Sequence, residues 1–212
     1  LERQGLLPAL FPETAAALKS NRSGALRRVV LAGLRNTDQR VANDEPVSPA
    51  FLFALLLWPA YCRSLIQLQS QGMHTVEAQR RAADRVTVHQ LDTIALPRRF
   101  SLPMQEIWLL QTRFSQRQRK RVFRLLAHPR FRAAFDFLQL RLAASDEHAA
   151  DVAFWREAQT QPGDTLAAQL EAQPAHDEAE GEGRAPRKRR RRRRNGGGAY
   201  AGDDTAGGPA AE

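Results

Sequence analysis

One cysteine, Cys62, stands in a chain of 212 residues. That excludes an intrachain disulfide and any multi-cysteine zinc site, and it fits a reducing, cytoplasmic setting. Long hydrophobic runs are also scarce. The longest uncharged stretch, Pro46 to Cys62, falls short of the roughly 18–20 apolar residues that cross a bilayer. Pro59 interrupts its far end, so it is expected as a buried core helix, with no membrane partner. Leu1 is followed by no basic and apolar leader, so no secretory signal is expected, and a piece of a longer protein is. Catalytic signatures are missing as well: there is no Gly-Ser pair, Asp-x-Asp, GxGxxG, GxxxxGK, GxSxG or HExxH. Ser145, Asp146, Glu147 and His148 include triad residue types, but sequence neighbours cannot converge as a triad, and Ser145 reads as a helix N-cap. Glu178, Glu180 and Glu182 read as a solvated acidic spacer. The five histidines form no i, i+4 pair, so none is assigned as a metal ligand.

What the first 158 residues contain is apolar periodicity near 3.6, with no sustained alternation of period two, so the fold class is all-α, with about six to seven helices. Helix starts are marked by Ser48-Pro49, by Thr75 with Glu77, by Pro103 with Glu106, and by Pro129. Gly72 suits a C-terminal cap, and His128-Pro129 separates two helices, because a residue before proline avoids the helical region. Phe131, Phe135, Leu138 and Leu142 form one narrow apolar stripe assigned to the core. Beyond it, residues 159–183 read as an acidic flexible linker, 184–194 as an arginine-rich segment and 195–212 as a disordered Gly/Ala tail.

The formal net charge is +9, and its distribution says more than its total. Residues 159–183 hold six acids and no Lys or Arg, whereas Arg184 to Arg194 hold nine bases in eleven residues. A second basic centre lies between Arg98 and Arg141, with eleven bases and two acids. Two separate basic blocks point to a polyanionic partner, in a soluble chain nucleic acid. If residues 113–126 form one helix, Val122, Phe123, Leu125 and Leu126 cover one side. Arg113, Arg117, Lys120, Arg121 and Arg124 then form a ridge opposite, with only Arg119 straying toward the apolar side. These five cations, with Arg130, are the candidate phosphate contacts of the body. Arg187, Lys188, Arg189, Arg190, Arg191, Arg192, Arg193 and Arg194 are those of the tail, able to neutralise several phosphates without reading sequence. A nuclear-import signal is the formal alternative for the tail.

The stretch LPRRFSLPMQEIWLLQTRFSQRQRKRVFRLLAHPRFRAAFDFLQLR, residues 96 to 141, resembles the C-terminal part of bacterial poly(A) polymerases. RNTDQRVANDEPVSPAFLFALLLW, residues 35 to 58, resembles the segment before it. The resemblance implies an enzyme that adds AMP from ATP to RNA 3′ ends and marks transcripts for decay. RNA would be the partner, RNA-decay proteins possible further ones, and Mg²⁺ and ATP cofactors of the parent enzyme rather than of this chain. No catalytic residue carries over, since the Gly-Ser and aspartate motifs of the family's catalytic head have no counterpart here, and the chain is expected to be inactive alone. The alternatives are the body of a tRNA CCA-adding enzyme, which the arginine run disfavours, and a free-standing RNA-binding or RNA-chaperone protein.

Overall fold

The computed structural model describes residues 4–143 and 149–172. Among them are ten α-helices, one 3₁₀ turn and no strand. The all-α expectation holds, with more and shorter helices than the six to seven anticipated. The first core is built round α4 (Pro49–Ser70), with α1 (Leu6–Leu10), α2 (Pro12–Ser20), α3 (Ala25–Ala42), α5 (Thr75–Leu91) and α6 (Arg98–Leu110) about it.

Both ends of α4 are set by local chemistry. Ser48 Oγ accepts from the Phe51 N–H, and Pro49 occupies the first turn, where its missing N–H costs nothing. At the other end Gly72 takes φ +82°. Its N–H donates to the Gln69 carbonyl at 2.9 Å and that of Met73 to Leu68 at 3.2 Å, the paired bonds of a Schellman cap. Pro59 does not end the helix: its ring is buried in the core, and α4 continues to Ser70. By length and composition α4 could cross a membrane, but Ala54, Leu55 and Leu57 are fully enclosed by neighbouring helices.

Two other expected starts shift. Helix α5 begins at Thr75 with His74 before it, rather than being capped by the Thr75 hydroxyl. Helix α6 begins after Pro97, whose carbonyl accepts from the Phe100 and Ser101 N–H groups, and Pro103 lies inside it. Proline within a helix removes one backbone bond, and here burial of Met104, Ile107 and Trp108 offsets the loss.

The first core is fastened by buried donors as much as by apolar area. Trp108 Nε1 donates to the Ala54 carbonyl at 2.9 Å, while its ring stacks on Tyr61 with centroids 4.8 Å apart. The Thr14 hydroxyl donates to the Leu56 carbonyl at 2.8 Å, and Gln90 Nε2 to Leu10 at 2.7 Å, tying α2 and α5 to their neighbours. Helices α3 and α4 meet at Gly33, where an added Cβ would stand 2.4 Å from Leu55 Cδ2. Leu55 is fully buried and has nowhere to retreat. Gly33→Ala is therefore expected to lower stability by up to about 2 kcal/mol, even though alanine favours a helix, because overpacking costs about 1–3 kcal/mol and propensity returns about 1. A urea titration of the two proteins measures it.

The second core follows directly. The 3₁₀ turn Gln111–Arg113 leads to α7 (Arg119–Leu126), α8 (Phe131–Ala143), α9 (Ala149–Ala158) and α10 (Gly163–Ala172). The turn at His128-Pro129 separates α7 from α8 as expected. Helix α8 is buried on two sides: Phe131, Phe135 and Leu138 enter the second core, and Phe137 enters the first against Trp58. A single stripe is thus an incomplete account of α8. Trp155 of α9 is fully buried and donates to the Phe114 carbonyl at 2.8 Å. Helix α10 falls within the stretch 159–183 read as a flexible linker. Residues 163–172 are instead helical, with Leu166 and Leu170 packed into the second core. Ser145 to His148, the acidic spacer and the arginine run lie outside the described residues.

Candidate nucleic-acid interface

The expected ridge over 113–126 is not one helix. Helix α6 ends at Leu110, Arg113 closes the 3₁₀ turn, Arg117 lies in the following loop, and α7 begins only at Arg119. The break follows from Phe114, which turns inward against Phe131, Phe135 and Trp155 and draws the chain out of helical register. On α7 itself the two faces are those expected: Val122 and Leu125 are buried, and Lys120, Arg121 and Arg124 are exposed opposite them.

Ion pairing divides the candidate cations. Arg117 is partly buried, pairs with Asp151 of α9, and lays its guanidinium 4.3 Å over the Phe154 ring. It therefore ties the 114–118 loop to α9 and is a fastening of the second core, in contrast to its place in the expected ridge. Arg130 pairs with Glu106 at 3.1 Å. Arg119, which points toward the apolar side, reaches Glu171 of α10 at 2.9 Å. The last two pairs are well exposed and contribute little stability. Arg113, Lys120, Arg121 and Arg124 are exposed and have no ion-pair partner among the described residues. Of the candidate cations in the described body, these four are the ones that no described acid pairs.

Arg117→Ala is expected to cost about 1–3 kcal/mol of stability, because the variant gives up a charge-assisted hydrogen bond and a cation–π interaction at once. RNA affinity should change little. Thermal melting and RNA titration of the same variant separate the two effects. Sequence alone missed this fastening, because Asp151 and Phe154 lie far along the chain and only their i, i+3 spacing on α9 marks them as a joint contact.

No group of three or more His, Cys, Asp or Glu side chains suited to a metal ion occurs among the described residues. They therefore do not fit the Mg²⁺ that nucleotidyl transfer uses. Cys62 is no activated nucleophile either, since burial pushes its thiol up to about 12 against the opposing pull of the Arg141 charge. It should resist iodoacetamide in the native protein at neutral pH and react on unfolding. The unfolded thiol ionises first as pH rises, so the stability contributed by the neutral native thiol is full below about 8.5 and is lost progressively toward the native value. Cys62→Ala should flatten that alkaline decline in a series of melting curves.

The described residues form an all-helical body with four exposed cations on and beside α7 that no described acid pairs. The sequence profile described as Polymerase A arginine-rich C-terminus matches residues 71–195, more than half of the chain. The chain is a member of that family. It is 37% identical over 142 residues to Poly(A) polymerase I of Salmonella typhi, covering 66% of this chain and 30% of that protein. To Poly(A) polymerase I of Escherichia coli O157:H7 it is 37% identical over 137 residues, covering 64% and 30%. To the Haemophilus influenzae protein of the same name it is 30% identical over 156 residues, covering 73% and 34%. The chain thus spans about a third of the length of these relatives.

Proposed function

We propose that this chain is the RNA-holding helical body of a cytoplasmic poly(A) polymerase, in which Arg113, Lys120, Arg121 and Arg124 grip the phosphates of a transcript's 3′ end. The observation that carries the reading is that these four cations meet no acid among the described residues, while neighbouring Arg117, Arg119 and Arg130 each do. A face meant only for solubility would mix the two signs. Guanidinium geometry suits phosphate oxygens, and contacts of this kind fix a strand's position without reading its bases.

Addition of AMP from ATP with Mg²⁺ would then be performed by a part of the enzyme outside these 212 residues. Arg187 to Arg194 would add a second, sequence-independent grip on RNA, and contacts with RNA-decay proteins would follow from the fate of the tailed transcript. The test uses the chain with Arg187 to Arg194 replaced by Gly and Ser, titrated with labelled oligoadenylate over a range of salt. Binding that weakens steadily with salt supports the reading. Absence of binding at low salt would overturn it.

A further inference from the structure

No glycine or proline, the residues that ordinarily stop a helix, stands between Leu110 and Leu126. Phe114 itself keeps a helical backbone, with φ −68° and ψ −23°. Yet α6 stops at Leu110 and α7 starts only at Arg119. Local preference does not make that break, so its cause lies in a partner distant in the chain.

The partner is Trp155 of α9. It is fully buried, and its Nε1 donates to the Phe114 carbonyl at 2.8 Å. In an unbroken helix that carbonyl would accept from the N–H four residues on, that of Gln118. The two rings also meet edge to face, with centroids 5.3 Å apart. One side chain thus grips Phe114 by backbone and by ring. Phe114 follows Arg113 directly, so this grip decides how Arg113 stands relative to the cations of α7. An unbroken helix would put Arg113, Arg117, Lys120, Arg121 and Arg124 on one face, where like charges one turn apart repel. The break takes Arg113 out of that row and gives Arg117 to Asp151.

We propose that Trp155 is a positioning residue for RNA binding: its grip on Phe114 fixes Arg113 relative to Lys120, Arg121 and Arg124, so that one strand meets cations on both sides of the break. This rests on the reading of those four cations as phosphate contacts. Trp155 is enclosed in the second core and acts only through Phe114. The Arg117–Asp151 tie lies on the α7 side of Phe114, so losing it leaves the Trp155 grip in place.

The test measures affinity for labelled oligoadenylate against salt in the full chain with Arg187 to Arg194 replaced by Gly and Ser. Arg113→Gln should weaken binding by about threefold to tenfold and lower the salt slope by roughly 0.7. Trp155→Phe keeps a ring beside Phe114 and loses the donor. It should weaken binding by a similar factor, and Arg113→Gln added to it should change little further. Arg117→Ala loosens the same core without touching Trp155 and should leave affinity and slope as they are, which separates positioning from lost stability. If Arg113→Gln weakens binding equally with and without Trp155→Phe, Trp155 does not position it and the proposal falls. If Arg113→Gln has no effect in the starting chain, the phosphate reading itself falls, and this inference with it. Linkage provides a measurement that needs no variant, since a grip that favours RNA must be favoured by RNA. Saturating oligoadenylate should slow hydrogen exchange at Trp155 Nε1 more than at Trp108 Nε1, which is bonded to Ala54 in the first core. Equal slowing at the two indoles would overturn the assignment.

Discussion

Replacing Arg113, Lys120, Arg121 and Arg124 together by Gln, in the chain whose arginine run is already neutral, is expected to reduce RNA affinity by about a hundredfold or more at low salt. The protein should remain folded. All four side chains are exposed, and the buried Val122 and Leu125 that seat α7 are untouched. For a single strand each neutralised phosphate contributes roughly 0.7 to the salt slope, so removing four phosphate-binding charges should flatten it by about 3. Fluorescence anisotropy against salt concentration reads both quantities, and a melting curve controls for folding. An unchanged slope would mean that the four cations form only a solvated face. Neutralising Arg117, Arg119 and Arg130 instead should leave the slope nearly intact, because their charges already meet Asp151, Glu171 and Glu106.

Ending the chain after Gln161 is expected to destabilise the second core by about 3–5 kcal/mol. The change removes Leu166 and Leu170, which are 2% and 8% exposed, and uncovers the surface they pack on. Each buried leucine is worth about 1.5–3 kcal/mol. That is a large part of the roughly 5–15 kcal/mol by which a domain is stable. The exposed Arg119–Glu171 pair removed at the same time should matter little. Urea unfolding followed by NMR through the indole N–H resonance of Trp155, resolved from those of Trp58 and Trp108 in the first core, reports on this core. A midpoint equal to that of the full chain would show that α10 does not pack as described. A chain ended after Ala172 retains both leucines and should unfold at the full-length midpoint.

This second expectation marks where composition misleads. Residues 159–183 carry acids, glycine, proline and glutamine and no positive charge, a mixture that reads as solvated linker. Within it, TLAAQL places Leu166 and Leu170 one helical turn apart, a two-residue apolar signal too short to stand out. The second core, the apolar side of α7 included, gives that pair something to cover. The ridge was misplaced for a related reason. A wheel drawn over 113–126 assumes unbroken helix, but Phe114 is drawn inward by an aromatic cluster whose other members lie between 17 and 41 residues further on. Arg113 stays exposed because the turn leaves it outside, and Arg117 is captured because the loop passes α9.

The sequence by itself determined the helical class, the ends of α4, the turn at His128-Pro129 and the opposed faces of α7. Each depends on residues within about two turns of one another, so backbone sterics, capping and periodicity suffice. Tertiary structure decided which cations remain available, how far the second core extends, and that α8 serves two cores at once. Those outcomes depend on contacts such as Arg117 with Asp151, Trp155 with Phe114 and Phe137 with Trp58, whose partners lie tens of residues apart. Local preference carries no information about such pairs, and packing the two cores is what brings them together.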